Sequence, residues 1–68
     1  MAIKLRRVGK EGKVYRTFRK WTDMADYIEA HHLKGDFLAI VLPIRTLRGI
    51  RKVKADESGV WVEDRGYV

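Results

Sequence analysis

The sequence predicts a small α+β domain in which one helix packs on one face of an open antiparallel β-sheet, in the order ββαβββ. Three observations indicate this fold: a strand pair around a glycine-containing turn, one segment of helical periodicity, and a short apolar run followed by a second hairpin signal. The chain has 68 residues, which suffice for one compact domain and are too few for two. We therefore expect residues 1–68 to form a single basic domain.

Residues 1–19 predict a β-hairpin. Residues 2–8 and 13–19 each alternate between apolar and polar side chains, and Gly9 and Gly12 border the turn between them. If the apolar side chains of the hairpin point toward the helix, alternation along the strands assigns the side chains to two opposite faces. The inward set, facing the helix, is Ile3, Leu5, Val14 and Phe18. The outward set is Lys4, Arg6, Tyr15, Thr17 and Arg19.

A helix is predicted over residues 22–33. Its apolar positions, at helical spacing, are Met24, Ala25, Ile28 and Leu33. Thr22 or Asp23 is expected to cap the N terminus, and Gly35 to supply a left-handed residue after the C terminus. The acidic side chains of this segment fall on the remaining side, so the solvent face of the helix is expected to be acidic.

A continuous apolar run, residues 37–42, predicts a strand buried on both sides at the centre of the sheet. Pro43 lacks an amide proton and is expected to end its pairing. We expect an irregular or one-turn segment at residues 44–48 and a strand at residues 50–55. A turn signal at residues 56–59 and a strand at 60–63 then close a second hairpin, because Ser and Gly favour tight turns.

The charge of the chain is strongly basic and unevenly distributed. It has 15 Lys and Arg against 9 Asp and Glu, a formal net charge of +6 and a pI of about 10.0. Two basic segments, residues 1–20 and 45–54, alternate with two acidic ones, residues 21–44 and 55–68. This pattern predicts a molecule with a positive face and a negative face.

We interpret the two basic segments as a nucleic-acid-binding surface. Cations neutralise phosphates, and an aromatic ring among them stacks on a base or sugar. The candidate residues are Lys4, Arg6, Lys13, Tyr15, Arg16, Arg19, Arg45, Arg48, Arg51, Lys52 and Trp61. The alternative interpretation is that these cations only keep an edge strand and a connecting segment solvated.

The two tryptophans have different expected roles. Trp21 lies at the start of the helix, where we expect it in the core. Trp61 lies between Val60 and Val62, so if the valines point inward, Trp61 points outward on the same face as Tyr15.

Weak sequence preference is expected, for either DNA or RNA. The chain contains no Asn and no Gln, which are the side chains that read adenine through paired hydrogen bonds. Such a protein relies on phosphate contacts, shape and stacking.

A protein-interaction or regulatory module is the competing function. An exposed sheet face or edge strand also suits docking to another protein, or assembly of a homodimer. A dimer would add stability to a domain of this size.

Catalysis and metal binding find little support. The chain has no Cys, which excludes a disulfide, a thiolate metal site and a thiol nucleophile. Adjacent residues His31 and His32 would point about 100° apart on a helix and suit no common metal ion. Ser58 lies in a predicted turn, where serine is ordinary. We expect no enzyme, cofactor or metal, with a small ribonuclease using a histidine and arginines as the alternative.

Two further expectations come from composition. No apolar stretch approaches the ~18 residues of a membrane span, no basic amphipathic helix is present and the N-terminal residues lack a secretory signal, so we expect a cytoplasmic protein without a membrane partner. The absence of Asn, Gln and Cys with abundant charge is typical of thermophiles. In size and charge alone the chain resembles the small chromatin proteins of thermophilic archaea, with which it shares no motif.

Overall fold

The computed structural model describes residues 1–9, 12–42 and 49–68. Its elements are β1 (Ala2–Arg7), β2 (Val14–Phe18), α1 (Trp21–Ala30), β3 (Gly35–Leu42), β4 (Ile50–Asp56), β5 (Gly59–Val62) and β6 (Gly66–Tyr67). The strands form one antiparallel sheet in the order β2-β1-β3-β4-β5-β6. The predicted α+β fold, one helix on an open antiparallel sheet, is confirmed, with β6 as an additional strand.

The core lies between α1 and one face of the sheet, which we call the helix side. Apolar residues of α1 recur every three or four positions, so they form one stripe that packs on the sheet. The helix contributes Trp21, Met24, Ala25 and Ile28, all buried as the sequence predicts. The sheet contributes Ile3, Leu5, Phe18, Phe37, Ala39, Val53, Ala55, Val60 and Val62. The opposite side of the sheet, which no helix covers among the described residues, is called the open face.

Strand β3 is central, as predicted, but it is not buried on both sides. Phe37 and Ala39 lie on the helix side and are 1% and 0% exposed. Leu38 and Ile40 alternate with them and are half-buried on the open face. Because α1 covers one face of the sheet, the apolar run leaves aliphatic side chains on the other face.

A β-bulge in β2 corrects the predicted facing of its side chains. Lys4 pairs with Thr17 and Arg6 pairs with Val14, so two residues of β2 oppose the single residue Leu5 of β1. Both of these residues, Tyr15 and Arg16, therefore lie on the helix side with Leu5. The extra residue returns Val14 to the open face, where it is 46% exposed.

The bulge makes two expectations wrong. Val14 does not share a face with Phe18, and Tyr15 does not point outward. Tyr15 is half-buried and packs against the hydrophobic core. Strict alternation fails here because it holds only while each strand supplies one residue per pair.

The ends of α1 also differ from expectation. The residue preceding the first turn is Lys20, and no side chain caps the helix, so neither Thr22 nor Asp23 acts as the cap. At the C terminus His32 adopts a left-handed backbone with φ +52°. Its amide donates to the Glu29 carbonyl at 3.1 Å, and the Leu33 amide donates to the Ile28 carbonyl at 3.0 Å.

These two bonds define a Schellman motif, which needs its left-handed residue immediately after the helix. That position is three residues earlier than the predicted Gly35. Gly35 has φ +113° and begins β3 instead.

The second hairpin forms as predicted. Strands β4 and β5 pair from Val53 with Val62 to Asp56 with Gly59, and the Ser58 amide donates to Asp56 Oδ1 at 2.7 Å within the turn. The expectations for Pro43 and for residues 44–48 lie outside the described residues.

Candidate functional site on the open face of the sheet

The register of the strands determines which side chains share the open face, because directly paired residues project to the same side. Three of the rows that they form across the sheet carry the cations and the aromatic rings. The rows are Thr17, Lys4, Ile40 and Ile50; Val14, Arg6, Leu38, Lys52 and Glu63; and Asp36, Lys54, Trp61 and Tyr67. Aliphatic residues occupy the middle of this surface, with cations on both sides of them and two aromatic rings at the β5–β6 end.

The two basic segments of the sequence meet on this face. In the second row Arg6 of β1 and Lys52 of β4 both pair with Leu38 of β3. Their backbones are therefore two strand spacings apart, roughly 10 Å. Arg6 extends toward the β1–β2 turn, where its Nη2 lies 2.8 Å from the position that a Cβ at Gly12 would occupy. A phosphate chain crossing β1, β3 and β4 would meet cations from both segments.

Four cations of the described residues lie on the open face, namely Lys4, Arg6, Lys52 and Lys54. Carboxylates lie near them in the register: Asp36 pairs with Lys54, and Glu63 Oε1 accepts the Lys52 backbone amide at 3.2 Å. Among the described residues, none of the four cations has a carboxylate oxygen within 4.0 Å; the ion pair that is present joins Arg51 to Asp64 at 3.6 Å. The four cations are therefore not committed to internal ion pairs with described carboxylates.

Two aromatic rings share the open face. Trp61 of β5 is half-buried and pairs directly with Tyr67 of β6, which is 62% exposed. The Tyr67 ring lies over Gly59, because its Cδ1 is 3.7 Å from where a Cβ at that glycine would be. Hydrogen bonds from the Arg65 amide to Val62 and from the Val68 amide to Val60 hold the short strand β6 in place.

The helix side uses its cations differently. Each of four basic side chains there covers an aromatic ring at cation–π distance. The contacts are Arg7 on Phe37 at 4.9 Å, Lys13 on Tyr15 at 5.1 Å, Arg16 on Tyr27 at 5.7 Å and Phe18 at 6.0 Å, and Arg65 on Trp21 at 5.0 Å. Within the part of the chain that the structure describes, neither Trp61 nor Tyr67 carries such a cation. Among the aromatic rings just named, those of the open face are therefore the ones that no described cation covers.

A shallow concavity of about 370 Å³ lies between the cations of β4 and the end of β1. Val8, Leu38, Lys52 and Lys54 border it from the open face, and Asp36 contributes the one carboxylate. It is a groove with an apolar floor and a basic rim.

The structure separates the predicted site residues into groups. Lys4, Arg6, Lys52 and Trp61 lie together on the open face. Lys13, Tyr15, Arg16 and Arg51 lie on the helix side, so the expectation that Tyr15 joins Trp61 is wrong. Arg19 follows β2 and is exposed. Arg45 and Arg48 lie outside the described residues.

One cation and one aromatic residue of the open face, Lys54 and Tyr67, were not among the predicted site residues. Lys54 could have been identified, because it is two positions from Lys52 on the same predicted strand and so shares its face. Tyr67 carried no such signal, since β6 follows a turn in which Asp64 takes a positive φ of 69°.

The histidines have structural contacts. His31 stacks on Tyr27 with ring centroids 4.0 Å apart, and its Nδ1–H donates to the Tyr27 carbonyl at 3.0 Å. Over residues 1–9, 12–42 and 49–68, no group of three or more His, Asp or Glu side chains is arranged to hold a metal ion. No helix in the same ranges has the length and apolar character needed to cross a membrane.

Comparison of the chain with models of protein families, with curated proteins and with solved structures finds no match. The chemistry of the open face is therefore what bears on function.

Proposed function

We propose that this protein is a nucleic-acid-binding module, without catalytic activity, that binds the phosphate backbone through the open face of its sheet. The observation that carries the proposal is the meeting of Arg6 and Lys52 on either side of Leu38, with Lys4 and Lys54 nearby. Basic side chains that bind phosphates displace the counterions condensed on the nucleic acid, and this release favours association. The net charge of +6 adds long-range attraction to a polyanion.

The aromatic residues support the same proposal. Trp61 and Tyr67 offer ring faces beside Lys54, so one ligand can engage a ring and a cation together. Stacking on aromatic rings accepts every base, because each base has a π face. The chain also lacks the amide side chains that read adenine. Binding is therefore proposed to be largely independent of sequence.

Charge reversal on the two sides of the sheet tests the proposal. Lys52→Glu places a negative charge in the middle of the open face, whereas Lys20→Glu makes the same change at the start of α1, on the other side. We expect Lys52→Glu to weaken binding of labelled single-stranded and duplex oligonucleotides at least about tenfold at low salt, and Lys20→Glu to weaken it about twofold or less. Fluorescence anisotropy measures both. Equal losses for the two variants, or no binding by the unmodified protein, would refute the proposal.

A second candidate function is homodimer formation through the same face. The observation that favours it is the aliphatic band of Leu38, Ile40 and Ile50, which is half-buried in the single chain and continues to the exposed Leu42. Uncovered apolar side chains that adjoin one another are typical of protein interfaces.

The two candidate functions predict opposite exposures of the open face in solution. A dimer through this face would bury Trp61, whereas the nucleic-acid proposal needs the ring free. Sedimentation equilibrium over a range of protein concentrations distinguishes them. A monomer that binds oligonucleotide supports the first candidate, and a stable dimer that excludes oligonucleotide supports the second.

A further inference from the structure

We infer that the ligand of the open face is a single strand of nucleic acid, two of whose bases stack on Trp61 and Tyr67. This inference rests on the proposed function and adds to it the class of nucleic acid. It depends on three features of the described residues: the direct pairing of the two rings, the cation Lys54 beside them, and the position and charge of the helix.

The ring pair is arranged to receive neighbouring bases. Trp61 and Tyr67 are direct partners across β5 and β6, so their Cα atoms are about 5 Å apart and their side chains project together. Bases of a single strand can turn outward and lie on such rings, whereas bases of a duplex are already stacked on one another.

The cation next to the rings is placed to hold the backbone of the same strand. Trp61 pairs with Tyr67 on one side and with Lys54 of β4 on the other, and the Lys54 side chain is exposed. A nucleotide whose base stacks on Trp61 can therefore present its phosphate to Lys54. From Lys54 the basic surface continues through Lys52 on β4 to Arg6 on β1. Strand β1 is four strand spacings from β6, so the whole surface from Tyr67 to Arg6 spans roughly 19 Å.

Insertion of α1 into a duplex groove, the opposite arrangement, is disfavoured by the position and the charge of this helix. Proteins usually enter the major groove with a helix or a two-stranded ribbon. The helix α1 is on the covered side of the sheet, and its exposed side chains include the acidic residues Asp23, Asp26 and Glu29. Those carboxylates would repel phosphates.

Three probes of equal length test the inference: oligothymidylate, a duplex, and an abasic single strand that keeps the phosphates but has no bases. We expect the unmodified protein to bind oligothymidylate at least about fivefold more tightly than either of the others, since one base–ring stack contributes a factor of about 5 to 160. The abasic strand isolates the contribution of the phosphates.

Variants of Tyr67 and Trp21 test whether the two rings of the open face cause the preference for oligothymidylate. Tyr67→Ala should lower affinity for oligothymidylate by about fivefold or more and leave affinity for the abasic strand unchanged. Tyr67 is 62% exposed, so the variant is expected to fold. In a Trp21→Phe background Trp61 is the remaining tryptophan, and oligothymidylate, but not the abasic strand, should quench its fluorescence.

The outcomes separate this inference from the proposed function. If the duplex or the abasic strand binds as tightly as oligothymidylate, or if Tyr67→Ala and the Trp61 fluorescence show no response to bases, the inference is wrong while Lys52→Glu still reports phosphate binding. If no probe binds, or if Lys52→Glu loses no more affinity than Lys20→Glu, the proposed function fails as well.

Discussion

Tyr15 packs edge-on against Phe37, with ring centroids 6.0 Å apart and ring planes inclined by 62°. The same ring meets Tyr27 at 6.3 Å and carries Lys13 at 5.1 Å. Tyr15 is therefore part of the packing between β2, β3 and α1. One of the two aromatic residues that the sequence assigned to ligand stacking therefore packs against the core instead.

Tyr15→Ala should consequently lower stability and leave binding intact. Removal of a half-buried ring and its aromatic contacts is expected to reduce the free energy of unfolding by about 1–3 kcal/mol. Affinity for oligothymidylate should change less than about twofold. Urea denaturation and fluorescence anisotropy measure the two effects, with Tyr67→Ala as the matched control that should show the reverse. A loss of affinity in Tyr15→Ala with unchanged stability would contradict this assignment.

Phe37 and Leu38 are neighbours in the chain but lie on opposite faces of the sheet. Truncating each to alanine should therefore lower the free energy of unfolding by different amounts. Phe37→Ala removes a ring that is 1% exposed and should cost about 3–5 kcal/mol, enough to unfold most of a domain this small. Leu38→Ala removes a half-buried side chain of the open face and should cost about 1 kcal/mol. Circular dichroism during denaturation compares them. A cost for Leu38→Ala close to that for Phe37→Ala would mean that the open face is covered in solution, as in a dimer.

His32→Gly should stabilise the protein. A left-handed backbone costs a non-glycine residue about 1–2 kcal/mol, and glycine avoids this cost. Part of the gain is lost again, because glycine has more conformational freedom to lose on folding. We expect the free energy of unfolding to rise by about 0.5–1 kcal/mol. The matched control is His31→Gly, since His31 has φ −96° and contacts Tyr27, so glycine there should destabilise. Thermal denaturation of both variants gives the signs; a lower Tm for His32→Gly would show that this histidine makes a stabilising contact.

Salt should weaken oligonucleotide binding with a slope that reflects the open-face cations. Each phosphate neutralised on a single strand contributes about −0.7 to the slope of log K against log salt concentration, so the four cations together contribute about −3. Lys54→Gln should make the slope shallower by about 0.7, while Lys20→Gln should leave it unchanged. Titrations at several salt concentrations provide the slopes. Equal slopes for Lys54→Gln and the unmodified protein would remove Lys54 from the interface.

Much of the fold could be predicted because its signals are local. The stripe of Met24, Ala25 and Ile28 requires only helical periodicity, and the second hairpin requires only a turn signal between two apolar segments. The outward position of Trp61 followed from its two valine neighbours, which are buried as expected. Each of these features depends on residues a few positions apart.

The helix ends show where local signals compete. Gly35 is the expected left-handed residue, yet His32 takes that conformation, because the helix must end where the chain turns back to begin β3. Propensity indicates that a left-handed residue is needed, and the packing of α1 on the sheet selects its position.

For the candidate site, the sequence determined that two basic segments and an outward Trp61 exist, because charge and alternation are properties of the chain itself. Only the tertiary structure decided which of these side chains share a face. A strand's facing depends on how many of its residues oppose each residue of its neighbour, and one extra residue opposite Leu5 moved Tyr15 to the core and Val14 to the open face. The meeting of Arg6 and Lys52 across Leu38 likewise arises from the pairing of distant strands, which no local pattern specifies.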